Sequence, residues 1–159
     1  MATTNKFIVP RVVTLPTAVS ITTTTTNTPI TGLSFYVVAG QTYKFKFVVN
    51  YTCAATSAGS AWAVNGPAAT AIAYQVTQAT SASATLVTTS VGVIGAASSP
   101  GTGNAVGTNG NIAILEGVVT PSASGTLILN GIKNASSTIT VNATYSSCEW
   151  SRIDWPAAP

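Results

Sequence analysis

The sequence predicts an all-β protein, a jelly-roll-like antiparallel β-sandwich of about eight strands with an extended N-terminal arm. Three observations predict it. From residue 33 apolar and polar residues alternate at a period of two, clusters of Gly, Pro, Asn and Ser interrupt that alternation at short intervals, and nothing over 31–146 has helical periodicity. Short antiparallel strands spaced in this way make sandwiches or barrels, and the jelly roll is the eight-stranded member of that group.

Residues 1–30 are rich in Thr and β-branched side chains, and Pro10, Pro16 and Pro29 each remove a backbone donor and forbid helix. The expectation is an extended arm whose Thr22 to Thr26 run can join a partner's sheet edge. The sandwich is expected over 31–146. Its clearest strand is 43–52, where Tyr43, Phe45, Phe47, Val49 and Tyr51 share one face and Thr42, Lys44, Lys46, Asn50 and Thr52 lie on the other with Val48. The aromatic face is the predicted centre of the core. Strand 33–38 reaches it through Ala39-Gly40-Gln41, and further strands are expected at 62–64, 72–77, 86–94, 112–119, 126–129 and 138–145. Residues 95–111, with five glycines and Val106 as the one large apolar residue, read as a long exposed loop. The tail, 147–159, holds two of the three tryptophans, Trp150 and Trp155, beside Glu149, Arg152 and Asp154.

Only 6% of the residues are charged, against about 25% in ordinary soluble domains. A surface so poor in charge suits a subunit that hides much of its outside in an assembly, and the composition predicts a homo-oligomer, most simply a trimer. Six dispersed basic residues form no stripe that could neutralise many phosphates, so no nucleic-acid partner is expected despite a net charge of +3. No apolar run is long enough to span a membrane, and the amino terminus has no signal-peptide pattern, so no membrane partner is expected and synthesis in a cytoplasm is.

Catalytic readings find little material. Serine and cysteine nucleophiles need a base, usually His, and the chain has no His. Of three acids, Glu116 falls mid-strand with Ile114 and Val118 on its face and reads as a solvated or ion-paired side chain, while Glu149 and Asp154 sit in the tail. Gly101-Thr102-Gly103 lacks the spacing and the following Lys of a phosphate loop, and no Asp-rich run offers calcium ligands. No enzyme activity, cofactor or metal is expected. Cys53 and Cys148 match no metal spacing and read as structural thiols, a disulfide being open if their strands pair.

Three blocks taken in order, TGLSFYVVAGQTYKFKFVVNYTCAATSAGSAWAVNGP, LEGVVTPSASGTLILN and SSTITVNATYSS, resemble small β-domain virion proteins of tailed bacteriophages, among them head decoration (cement) proteins and domains of tail fibres. The resemblance covers roughly residues 31–146. It implies a jelly-roll-like, commonly trimeric structural protein displayed on the virion and no catalytic residues. A chain opening at Met1 with its own arm is expected to be a free-standing decoration subunit, with the major capsid protein as partner and the capsid surface as location. The alternative is a tail- or fibre-associated receptor-recognition module that binds glycan or protein through the 95–111 loop and aromatics such as Trp62. Candidate interaction residues are Phe7, Val9, Arg11, Val13, Thr22, Thr24 and Thr26 on the arm, with Trp150, Arg152 and Trp155 in the tail, because aromatics beside Arg are what interfaces enrich.

Overall fold

A computed structural model describes residues 9–23, 26–53, 59–79, 86–98, 110–133 and 138–153. Among them there is no helix and there are eleven strands. In chain order these are β1 (Arg11–Thr14), β2 (Val19–Ile21), β3 (Thr28–Val37), β4 (Tyr43–Cys53), β5 (Ser60–Asn65), β6 (Ala69–Ala79), β7 (Leu86–Val91), β8 (Asn111–Pro121), β9 (Gly125–Lys133), β10 (Ile139–Val141) and β11 (Ser147–Arg152).

Two sheets face each other. The larger runs β1-β11-β4-β8-β6-β7, with β10 and β2 continuing beside β4, and the smaller runs β3-β9-β5. Every pairing is antiparallel. The pairings nest: β3 pairs β9, β4 pairs β8, and β6 pairs β7. Between them the outer edge of β5 receives the 95–98 segment through Gly95 N–H to Val64 O at 2.9 Å and Ser98 N–H to Trp62 O at 2.8 Å. A long hairpin rolled up with its first strand against its last is the jelly-roll order, so the expected fold class holds.

The strand YKFKFVVNYTC shows why the sheets close. Its alternation puts Tyr43, Phe45, Phe47, Val49, Tyr51 and Cys53 on one face, all buried, as the periodicity predicts. Leu33, Phe35, Val37, Trp62, Val64, Leu127 and Leu129 meet them from the smaller sheet. The Phe35 ring lies 6.3 to 6.4 Å from those of Tyr43, Phe45 and Phe47, and stacks on Trp150 at 5.0 Å. Each such side chain contributes about 1.5–3 kcal/mol on leaving water.

Two glycines make that packing possible. Gly117 lies on β8 between Phe45 and Tyr74 in the register, and a Cβ there would sit 2.3 Å from the Ala73 carbonyl oxygen. The rings of Phe45 and Tyr74 approach to 6.0 Å across the gap it leaves. Gly131 on β9 lets Ile21 and Trp62 close over it, since a Cβ would meet their atoms at 2.4 and 3.0 Å.

The described part of the expected arm differs from expectation: it is woven into the larger sheet. β1 pairs β11, β2 pairs β10, and Leu15, Ile21 and Ile30 are buried to 1% or less. The prolines do not prevent this, because Pro10 and Pro16 lie just outside β1 and Pro29 sits on β3 at the side of its sheet, before a shift of register. The tail is likewise part of the sheet, as β11 pairs β4 from Ser147↔Val48 to Arg152↔Tyr43. The single strand expected over 138–145 is split. β10 ends at Val141, the chain passes through Thr144 at φ 69°, and β11 starts at Ser147. Leu15 holds the break, donating to Ser146 O at 2.9 Å and accepting from Thr144 N–H at 3.0 Å. The start of the expected 95–111 loop also belongs to the fold, since Ser98 is buried and its hydroxyl accepts from Trp62 N–H at 3.1 Å.

Candidate interaction surface

The register of the larger sheet lays out its outer face. One row crosses Val12, Glu149, Lys46, Glu116, Gln75 and Ser90, and the next crosses Thr14, Ser147, Val48, Ile114, Thr77 and Thr88. Lys46 stands between two acids, and its Nζ lies 3.8 Å from Glu116 Oε2. Glu116 is therefore the ion-paired surface residue expected; an exposed pair of this kind contributes about 0–1 kcal/mol. Exposed Val12 ends this row, and exposed Val118 and Ile112 lie on either side of it along β8.

The proposed interaction residues fall in two places. At the β1 and β11 edge, Arg11 lies opposite Trp150 and Val13 opposite Cys148, while Arg152 ends β11. Val9 is 77% exposed beside them, Arg11 is exposed, and Val13 packs on the core. Trp150 is half-buried against Phe35, so it closes the sandwich with one face. Thr22 and Thr26 are exposed near the far end of β4, where β2 and β10 meet Cys53. That is roughly 30 Å from Arg152 along an eleven-residue strand at about 3.3 Å per residue. The structure thus unites Val9, Arg11, Trp150 and Arg152 and separates the threonines from them. Phe7, Thr24 and Trp155 lie outside the described residues, as does 99–109 of the glycine-rich segment.

Trp62 does not belong to a surface. It is fully buried, edge-on to Tyr51 at 5.2 Å, because both faces of β5 are covered. Among the described residues the exposed aromatics are instead Tyr36, at 63%, and Tyr145, at 73%. Alternation against Phe35 could have found Tyr36. Tyr145 could not be read, since its exposure follows from the left-handed turn at Thr144.

Reactive groups are held in unreactive forms. Burial, reinforced by the charge of Glu149, pushes the Cys148 thiol up to about 12, which keeps it protonated and a poor nucleophile at neutral pH. Cys148 pairs with Phe47 while Cys53 ends the same β4, six residues on, so roughly 20 Å of strand separates the thiols and no disulfide can form. Burial also raises Tyr51 to about 12; its hydroxyl lies near Ser60 but makes no hydrogen bond of good geometry. Tyr74, raised by burial too, spans the sheets, its hydroxyl accepting from Val64 N–H at 3.2 Å and donating to Ala96 O at 3.0 Å. Among the described residues no group of three His, Cys, Asp or Glu could hold a metal.

The fold is an antiparallel β-sandwich of jelly-roll order. No known protein family matches the chain, and no curated protein matches it. Solved structures of infectious bursal disease virus resemble it weakly. The Gx strain structure is 11% identical over 96% of this chain and 40% of that one, with a TM-score of 0.23. The Gt strain structure is 13% identical over 95% of this chain and 43% of that one, with a TM-score of 0.26. The chain spans about two-fifths of those chains, and at such TM-scores the likeness carries no argument.

Proposed function

We propose that the protein is a structural, non-catalytic component of a virus particle, a decoration subunit that binds where coat subunits meet and reinforces the shell. The observation that carries this reading is the β1 and β11 edge. Exposed Val9 and Val12 flank Arg11 there on a strand anchored in the core through Leu15, so an apolar contact made outside transmits load directly into the sandwich. The charge-poor composition and the sequence blocks that resemble phage virion proteins support the same reading.

The test is co-sedimentation with particles lacking the protein. Wild type should bind at a copy number comparable with that of the coat protein, and a Val9→Ser, Val12→Ser variant should bind several-fold more weakly while remaining folded. A few copies per particle would instead favour a tail or fibre recognition module, the reading to which the exposed Tyr36 and Tyr145 lend support.

A further inference from the structure

The two sheets have four lateral edges, and the described residues blunt three of them. β1 and β2 share one edge as strands of four and three residues, with Pro10 and Pro16 flanking β1 and Arg11 on it. Short strands, proline and charge are how natural sheets discourage pairing with another chain. β3 carries Pro29 and loses register between Pro29 and Ser34. The free side of β5 is taken by the backbone of Gly95 and Ser98.

β7 differs from all of these. Its sequence, LVTTSV, contains no proline, no glycine and no charge, and it pairs β6 without a bulge from Leu86↔Ala79 to Val91↔Tyr74. No described strand pairs with its other side. Leu86 is 66% exposed on it, and Val93, just beyond its end, is 64% exposed.

We propose that β7 pairs antiparallel with β7 of a second copy, joining two larger sheets into one across a two-fold axis. A two-fold contact sets a sequence against itself, so any charge on it would meet its like; β7 has none, whereas β1 would bring two Arg11 side chains near each other. Directly opposed residues must share a face, which restricts the register. Thr88 opposite the second copy's Thr88 satisfies this, setting Leu86 against Ser90 and Val87 against Thr89. Thr89 on the axis does so too, setting Val87 against Val91. Both keep Leu86, Thr88 and Ser90 outside and Val87, Thr89 and Val91 toward the core side, as burial along β7 already has them. The contact is a dimer in place of the trimer that composition suggests, and it is a property of the free protein, independent of any particle.

The experiment is light scattering of the free protein at micromolar concentration, with circular dichroism as the check on folding. Wild type should have twice the 16.0 kDa chain mass, Thr88→Lys should have the single chain mass with an unchanged spectrum, and Thr14→Lys on the opposite edge should remain dimeric. Should Thr88→Lys fail to fold, Thr88→Cys replaces it: a short bismaleimide, which spans the axis in either register, should cross-link it through the new exposed thiol, since Cys53 and Cys148 are buried, and should leave Thr14→Cys uncross-linked. A monomeric or trimeric wild type, a folded Thr88→Lys that keeps the wild-type mass, or equal cross-linking at Thr14 and Thr88 would overturn the proposal.

Discussion

The rolled hairpin of β3 to β9 and the terminal strands β1, β2, β10 and β11 are built from different kinds of sequence yet share one core. Most hairpin strands are nine to eleven residues long, and β4 alternates clearly over its eleven; β5, covered on both faces, and β7 are shorter. The terminal strands are three to six residues long, and only isolated side chains, Leu15, Ile21, Ile139, Val141 and Cys148, reach the interior. In the hairpin, burial is distributed along each strand; in the terminal strands, a few anchors, helped by the partly buried Val13, Val19 and Trp150, hold the segment in place. Contribution to the core therefore does not scale with how strand-like a segment looks.

Removing the anchors is the strongest way to break that comparison. A chain beginning at Pro29 would lose Leu15 and Ile21 and uncover Gly131 beside Trp62. At about 2–3 kcal/mol for each buried aliphatic side chain, with two strand pairings gone as well, most of a typical 5–15 kcal/mol stability disappears. The expected outcome is an unfolded or aggregated protein by circular dichroism. A cooperative melt close to that of the full chain would show that the terminal strands merely decorate the sandwich.

Phe47→Ala probes the hairpin side. Phe47 is fully buried against Phe35 and Phe45, and its truncation should cost about 3–5 kcal/mol in guanidinium unfolding. A loss under about 1 kcal/mol would mean that the aromatic face repacks freely.

Alkaline pH acts on both regions together, through Tyr51 in the hairpin and Cys148 in the terminal strands. Both have folded values near 12, so the unfolded chain loses these protons first, from ordinary values of 9.0 for the thiol and 10.0 for the phenol. Their contribution is complete below about pH 9 and is lost as pH rises toward 12, by roughly 4 kcal/mol for the thiol and roughly 3 kcal/mol for the phenol. Cys148→Ala should delay the onset of the loss by about one pH unit, to where the Tyr51 phenol begins to titrate. An unchanged onset would place the early sensitivity elsewhere.

The smallest effect belongs to the outer face. Glu116→Gln removes the partner of Lys46 and should change stability by less than about 1 kcal/mol, less still in high salt. A larger change would mean that the row from Glu149 through Lys46 to Glu116 works as a network.

The hairpin was legible because alternation is a local property: Tyr43 to Tyr51 declare their common face within one strand, and Asn65-Gly66-Pro67 marks the turn between β5 and β6. The β1 and β11 edge was legible in part, since Arg11 and Trp150 are each candidates from the sequence but nothing local says that they sit opposite one another.

The all-β class and the aromatic face of β4 follow from composition and periodicity, which need no knowledge of neighbours. Tertiary contacts were needed to show that the described parts of the expected arm and tail are strands of the sheet, that Trp62 is interior, and that no described strand covers the outer side of β7. The physical reason is that burial and strand pairing depend on which distant segment lies alongside. Ile21 becomes a core residue because Gly131, far along the chain, leaves the space it fills.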